Sequence, residues 1–283
     1  MRTWPSRCKA SVVVLTCGAV RTTLACLESI ALTRYQDIQL IVVNNGGGQA
    51  MSDALQEFSI GAGRRLGDVQ ILGNETNRGA CTGRNQALSR VEGEFAAFID
   101  NDVVCRDPDW LARLIDVLQS DRSVGIVGPR IVSHAEPSTV ESAGFAVAPR
   151  GTVLVLGAGS PLKRIPWRQR REVQCVGNFV ARTETIRGVG GFDPDFDPFG
   201  FENVDVCYRC KAIGLRILCD GRTDLTHVGH VTTGRFADRG RRILFEKSLL
   251  LRKRWSDVFR QEQPFYEELA ALGGGIETQE VPI

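Results

Sequence analysis

At 283 residues the chain has room for one large domain or two fused halves, and a hydrophobic content of 43% is ample for a real core. A formal net charge of +2 exerts no general pull on polyanions, so nucleic acid is not expected as a partner. Nine cysteines, an odd number scattered through apparent strands and helices, argue against a disulfide framework and for reduced, buried thiols in the cytoplasm.

Cys207 and Cys210 form the sole CxxC pair. Without a second pair nearby they read as small apolar residues on one helix face rather than as zinc ligands. Met1 to Ala10 is polar, and the apolar run Val12 to Leu15 is too short for a secretory signal. No stretch approaches the length of a membrane span. These features predict a soluble protein, with peripheral contact to the inner face of a membrane left open.

In chain order, Ser11–Thr16 reads as a buried strand and Thr22–Ala31 as a helix, with Leu24, Leu27, Ile30 and Ala31 at helical spacing. Gln39–Asn45 is a second strand, ended by Asn-Asn-Gly-Gly-Gly. Ser52–Phe58 looks helical, with Ser52 as N-cap. Val69–Leu72 is a short strand, residues 77–81 a loop, and Thr82–Arg90 a helix.

Phe95–Ile99 is a fourth strand, an apolar run that stops at Asp100-Asn101-Asp102. Such a run suits a strand buried on both faces. Residues two apart on a strand share a side. Asp100 and Asp102 would therefore point the same way at the carboxyl end of the strand, where open α/β sheets bind ligands. Oxygen ligands of this kind suit Mg²⁺ or Mn²⁺ and, through the ion, a diphosphate. The alternative is a turn that caps the next helix.

In the second half Pro108–Gln119 reads as a helix and Val124–Val132 as a strand broken by Gly128-Pro129. Glu141–Leu156 reads as a hairpin around Pro149-Arg150-Gly151. Residues 160–171 form a basic loop, either mobile and functional or an ordinary connection. Cys175–Ala181 is a strand and Thr183–Gly188 a short helix. Residues 190–205 are rich in aromatics, acids and turn formers, and lead into a helix from Val204 to Ile213 closed by Gly214. Leu215–Cys219 is a strand, followed by His227 and His230. Residues 235–260 are basic and amphipathic, suited to docking on the sheet or to an anionic membrane.

Five motifs in order carry a resemblance: Val-Val-Asn-Asn-Gly, Asn-Arg-Gly-Ala-Cys-Thr-Gly-Arg-Asn, Phe-Ile-Asp-Asn-Asp, Gly-Gly-Phe-Asp and Phe-Glu-Asn-Val-Asp-Val-Cys-Tyr-Arg. From about Ser11 to Arg254 the chain resembles the GT-A glycosyltransferases of family 2, inverting sugar-nucleotide transferases, and especially their rhamnosyltransferase-like branch. The resemblance implies an α/β, Rossmann-like, doubly wound and mostly parallel sheet. Residues 1–103 would form the donor half, 104–240 the acceptor and catalytic half, and 241–283 a basic helical tail.

It also implies site roles. Asp102 would ligate Mn²⁺ or Mg²⁺ on the donor diphosphate, and Asp100 would contact the ribose or the metal shell. His227 would complete that shell, or else be a structural histidine; His230 is less well placed. Thr16, Asn44 and Asn45 would hold the nucleotide base. Asn44 stands where the family usually has Asp, and Cys17 where an aromatic is common. Arg84 would contact the base or the diphosphate.

The acid pattern that usually supplies the catalytic base reads Glu202-Asn203-Val204-Asp205 here. Its usual base position is Asn203, which cannot take a proton. Glu202 is the first candidate and Asp205 the second, though an acid at a helix start is favoured there in any case. Phe192, Asp193 and residues 196–201 would wall an acceptor site, with Phe192 better read as a core anchor. The implied partners are a nucleoside-diphosphate sugar and a hydroxyl-bearing glycan, lipid-linked sugar or small molecule.

Two other functions compete. A catalytically silent sugar-nucleotide-binding module is motivated by Asn203. A nucleotidyltransferase would need a glycine-rich loop with lysine after the first strand, which Thr16-Cys17-Gly18-Ala19-Val20-Arg21 lacks. No GxGxxG follows that strand either, which disfavours a dehydrogenase.

Overall fold

The computed structural model describes residues 8–229, 237–273 and 275–277. His230 lies outside them.

The first half alternates strand and helix. Strand β1 (Ala10–Thr16) leads to α1 (Val20–Ala31), β2 (Ile38–Asn45), α2 (Gly48–Ile60), β3 (Gly67–Asn74), α3 (Ala80–Leu88) and β4 (Phe95–Asp100). β1 pairs in parallel with both β2 and β4, and β2 with β3. Parallel neighbours need covering on both faces, which is why β1, β2 and β4 read as nearly unbroken apolar runs. On β4, Ala96 and Phe98 enter one core while Phe95, Ala97 and Ile99 enter the other. Helices α1 and α2 cover the second face, through Leu27, Ile30, Met51 and Leu55.

After β4 come β5 (Val103–Val104), α4 (Trp110–Ser120), β6 (Val124–Ser133), β7 (Val140–Ser142), β8 (Phe145–Val147), β9 (Val153–Leu156), β10 (Arg170–Glu172), β11 (Phe179–Arg182), α5 (Thr183–Gly188), α6 (Glu202–Ala212) and β12 (Arg216–His227). The chain continues through α7 (Ala237–Gln261), α8 (Gln263–Ala271) and β13 (Gly275–Glu277). The main path of the large sheet is β10-β12-β6-β11-β4-β1-β2-β3, with β5 on β12 and β7 on β6. One sheet thus runs through both halves, and β11 is antiparallel to β4 and β6.

Several elements differ from expectation, each for a local reason. Helix α2 starts at Gly48, and Ser52 is inside it. The opening is set by Asn44, whose Oδ1 accepts from Gly47 N at 2.9 Å. Strand β6 is continuous through Gly128-Pro129. On one of its edges β11 pairs at Ile126 and Val127 and β7 at Ile131 and Val132, so Pro129 falls between the two ladders. A proline costs no ladder bond there. Gly128 is needed for contact: a Cβ would come within 2.8 Å of Asn178 O.

The expected strand at 175–181 is confined to Phe179–Arg182. Strand β12 is more than twice as long as expected and runs to His227, with a register shift between Asp220 and Asp224. The basic loop is pinned rather than loose. Trp167 is buried, and Arg130 Nη1 donates to the carbonyls of Leu162 and Trp167, at 3.0 Å each.

All nine cysteines are free, and seven are buried. Cys207 and Cys210 both enter the core from α6, and burial pushes the Cys210 thiol up to about 12. Helix α7 docks on the body through Leu251 and Phe259; the Phe259 ring meets the Tyr208 ring of α6 at 5.0 Å. Among the described residues no helix is long and apolar enough to cross a membrane.

Candidate active site

The site forms where β4 ends. Asn101 turns inward, its Nδ2 donating to Thr23 Oγ1 at 2.9 Å and Thr16 Oγ1 at 3.3 Å. With Asn101 held inward, alternation turns its two neighbours, Asp100 and Asp102, to the other side. Strand β5 then pairs antiparallel with the end of β12, setting Val103 opposite His227. This register brings His227 Nε2 to 3.2 Å from Asp102 Oδ2. The other ring nitrogen, Nδ1, lies 2.5 Å from Glu141 Oε1. Hydrogen bonds to Asp102 and then Glu141 favour the charged ring and push the His227 imidazole up to about 10, against the effect of burial.

Beside this trio lies a second group. Arg84, on α3, donates from Nη2 to Asp100 Oδ1 at 2.9 Å and from Nη1 to Glu202 Oε1 at 2.7 Å. Its guanidinium also stacks 5.3 Å from the Phe192 ring centroid. Burial works against the charge on Arg84, but Glu202 and Asp100 outweigh it and hold the group above its ordinary value. Loss of surrounding water raises the Asp100 carboxyl; Arg84 opposes this, while Asp102 and Glu202 add to it. Asn178 secures Asp100 from behind, accepting from its N–H at 2.7 Å and donating to Oδ2 at 3.1 Å. Glu202 is the first residue of α6, and its Oε2 accepts from Gly200 N at 2.8 Å.

Asp197 aims α3. Its carboxylate accepts from Cys81 N at 2.7 Å and from Thr82 N at 3.2 Å, satisfying free N–H groups at the helix start. Gly79 is required just before this turn, because its φ is +94° and a Cβ would run into the Asp197 carboxyl.

The remaining candidates are committed to protein partners. Thr16 is buried, with its hydroxyl 2.8 Å from that of Thr23. Asn44 donates to Ser52 Oγ at 2.9 Å while accepting from Gly47. Asn45 donates to Asn77 Oδ1 and Gly79 O and accepts from Asn74 Nδ2 and Arg78 N, all at 3.0 Å. Asp205 is fully buried; its carboxylate accepts from Arg209 Nε at 2.7 Å and from Arg254 Nη1 and Trp255 Nε1 at 2.9 Å. Phe192 is a core residue, 4.9 Å from the Phe98 ring. Phe196 is equally buried, beneath the Arg254 guanidinium.

Sequence reasoning missed Glu141 and Asn178, and set Asp197 in an acceptor wall rather than at the start of α3. The acid-rich run 193–197 signalled Asp197 weakly. Glu141 and Asn178 carry no local signal, since their roles arise from strand pairing.

A mixed, mostly parallel α/β sheet with a C-terminal helical region is the GT-A fold. Residues 11–171 match the Glycosyl transferase family 2 model, and the chain belongs to that family. It is 29% identical over 222 residues to the O-antigen biosynthesis protein RfbC of Myxococcus xanthus, covering 74% of this chain and 16% of that protein. It is 26% identical over 255 residues to the protein y4gI of Sinorhizobium fredii, covering 87% of this chain and 27% of the relative. The chain therefore spans 27% or less of the length of these two relatives.

Among solved structures, the mannosyltransferase PcManGT of Pyrobaculum calidifontis, in complex with GDP-Man and Mn²⁺, has a TM-score of 0.63 at 17% identity. That match covers 95% of this chain and 76% of the other. GalNAc-T7 with UDP, GalNAc and Mn²⁺ has a TM-score of 0.65 at 15% identity, covering 80% of this chain and 44% of that one. Likeness at such identity speaks for the fold.

Proposed function

We propose that this chain moves a glycosyl group from a nucleoside-diphosphate sugar to a hydroxyl acceptor, with inversion, using Mn²⁺ or Mg²⁺ held by Asp102 and His227. The observation that carries this reading is the convergence of two groups at one end of the sheet. Asp102 and His227 form one, and Asp100, Arg84 and Glu202 form the other. The solved neighbours that hold UDP or GDP-Man together with Mn²⁺ support it.

The residues fit such an ion. A carboxylate oxygen and an imidazole nitrogen 3.2 Å apart are a suitable donor pair. Among the described residues no cluster of three or more acid, histidine or cysteine side chains could hold a metal alone. Donor oxygens and water would supply the other positions. When bound, the ion would act as a Lewis acid toward the departing diphosphate.

The chain's own residues do the rest. The acceptor hydroxyl oxygen attacks the anomeric carbon from the face opposite the diphosphate, the bond to the diphosphate oxygen breaks, and the hydroxyl proton goes to Glu202. Arg84 holds Glu202 in place, and a carboxylate has lone pairs left after accepting two hydrogen bonds. Asp205 is assigned an anchoring role, because an acceptor hydroxyl has no path to its buried oxygens. Thr16, Asn44 and Asn45 shape the donor loops after β1 and β2 rather than reading the base through free side-chain groups. The relationship to an O-antigen protein favours a glycan or lipid-linked acceptor, and free thiols throughout suit a cytoplasmic setting. A deoxyhexose donor, as in the rhamnosyltransferase-like branch, belongs in the panel beside hexoses.

The test is a thermal-shift panel of UDP-, GDP- and dTDP-sugars with Mn²⁺, followed by transfer assays on the donor that stabilises the fold. Asp102→Ala should abolish transfer, and chelator should do the same to the unmutated chain. Glu202→Gln should lower kcat about 10²–10⁴-fold with donor binding retained. Full turnover by Asp102→Ala in Mn²⁺, or by Glu202→Gln, would refute the corresponding role.

A further inference from the structure

Glu141 has no part in the reaction just described, yet it makes one of the shortest polar contacts at the site, 2.5 Å from Oε1 to His227 Nδ1. How it gets there is visible in the strand register. On β7, Val140 pairs with Val132 and Ser142 pairs with Ile131. One step along β6 thus corresponds to two along β7, and Glu141 is the extra residue of a bulge. Bulges re-aim side chains beside active sites. This one sends Glu141 across β6 toward the end of β12.

The bulge is braced from behind. Val140 N donates to Ser160 O at 2.8 Å, and Val140 O accepts from Gly159 N at 2.9 Å. Gly157 is packed between the Trp167 ring and Val140, where an added Cβ would lie 3.0 Å from Trp167 Cδ2 and 3.2 Å from Val140 Cγ1. The loop pinned by Arg130 therefore fixes the strand that carries Glu141.

We propose that Glu141 is a positioning residue that keeps the proton of His227 on Nδ1 and so presents Nε2, beside Asp102, as the ligand for a divalent cation. This inference rests on the proposed metal role of Asp102 and His227. An imidazole ring has a broad, roughly two-fold torsion about its last bond, so position alone does not decide which nitrogen faces the site. The neighbour on the Nε2 side is a carboxylate. Left with that partner alone, a neutral ring would place its proton on Nε2, to donate to Asp102, and would offer no lone pair there. A second carboxylate at Nδ1 removes that preference. A cation at Nε2 would displace the proton there, while the Nδ1 proton remains shared with Glu141 at the shorter of the two contacts.

The test uses the full chain and Mn²⁺ as the probe. Mn²⁺ is titrated with UDP and, separately, with GDP present, and free Mn²⁺ is read by electron paramagnetic resonance. Glu141→Ala should weaken Mn²⁺ binding about 10–100-fold, the usual effect of losing an outer-shell partner. Glu141→Gln keeps an acceptor for Nδ1–H and should lose distinctly less.

A second readout needs no metal. In metal-free protein brought above the raised pKa of His227, where the ring is neutral, ring ¹⁵N spectra should show the remaining proton at Nδ1 in the unmutated and Gln forms, and at Nε2 in the Ala form. Should Glu141→Ala lower the melting temperature, the Gln form decides, because its ring must still carry the Nδ1 proton. Unchanged Mn²⁺ affinity in Glu141→Ala, with weakened affinity in His227→Ala, would overturn the positioning role and leave the metal reading standing. Unchanged affinity in His227→Ala, or no Mn²⁺ uptake by the unmutated chain, would remove the metal reading and this inference with it.

Discussion

Replacing Asp205 separates a chemical from an architectural role for the acid run at the start of α6. Its carboxylate is wholly buried and takes three donors, from Arg209, Arg254 and Trp255. Asp205→Ala would leave two guanidinium groups without their shared partner. Breaking a buried pair from one side costs about 3–5 kcal/mol. Here the lower end applies. Arg209 and Arg254 keep 19% and 27% side-chain exposure, and Arg254 retains Asp193 at 2.6 Å. Asp205→Asn keeps one acceptor and should cost about one charged hydrogen bond, 1.5–3 kcal/mol. Urea unfolding followed by tryptophan fluorescence would report both, since Trp255 is one of the donors. Two results would refute the reasoning. One is a stability for Asp205→Ala within about 0.5 kcal/mol of the unmutated chain, as for an ordinary surface change. The other is an Asp205→Asn protein of normal stability that has lost transfer, which would return the acid to the chemistry.

Three further outcomes are expected. Burial alone would raise the Asp220 carboxyl, but hydrogen bonds from Arg222 outweigh it and hold the group below its ordinary value. Its stabilising effect is therefore full above the unfolded value of about 3.9 and is lost as pH falls through the folded one. The stability gap between Asp220→Asn and the unmutated chain should shrink below about pH 4 in acid unfolding curves. Gly79→Ala should cost at least about 1–3 kcal/mol from backbone strain, before any clash with Asp197, measured by urea unfolding. Asp197→Ala should cost about 1–2 kcal/mol as a lost helix cap and should lower kcat, because Arg84, which holds Glu202, rides on α3.

What could be read from the chain alone depended on whether the signal was local. Strands β1, β2 and β4 were legible because burial on both faces writes an apolar run of fixed length. Asp100 and Asp102 were legible because that run ends at them. The opening of α2 was read four residues late: the group that fixes it, Asn44, belongs to the preceding strand and carries no helical pattern. The continuity of β6 was hidden because Pro129 ordinarily ends a ladder, and only the spacing of β11 and β7 along one edge makes it harmless. Arg84 was expected to face the donor. Its salt bridges to Asp100 and Glu202 join residues 16 and 118 positions away, and no spacing rule reaches that far. The same holds for Glu141, whose meeting with His227 depends on a bulge.

The grip of Arg254 on Asp193, Asp195 and Asp205 bears on how the molecule comes into being. The amino-terminal part of a chain leaves the ribosome first. The acids from Asp193 to Asp205 have no counter-charge from α7 until the ribosome has released that helix. Nascent chains arrested short of Arg254 would hold Asp205 without two of its three donors, so the acid run at the start of α6 would settle last.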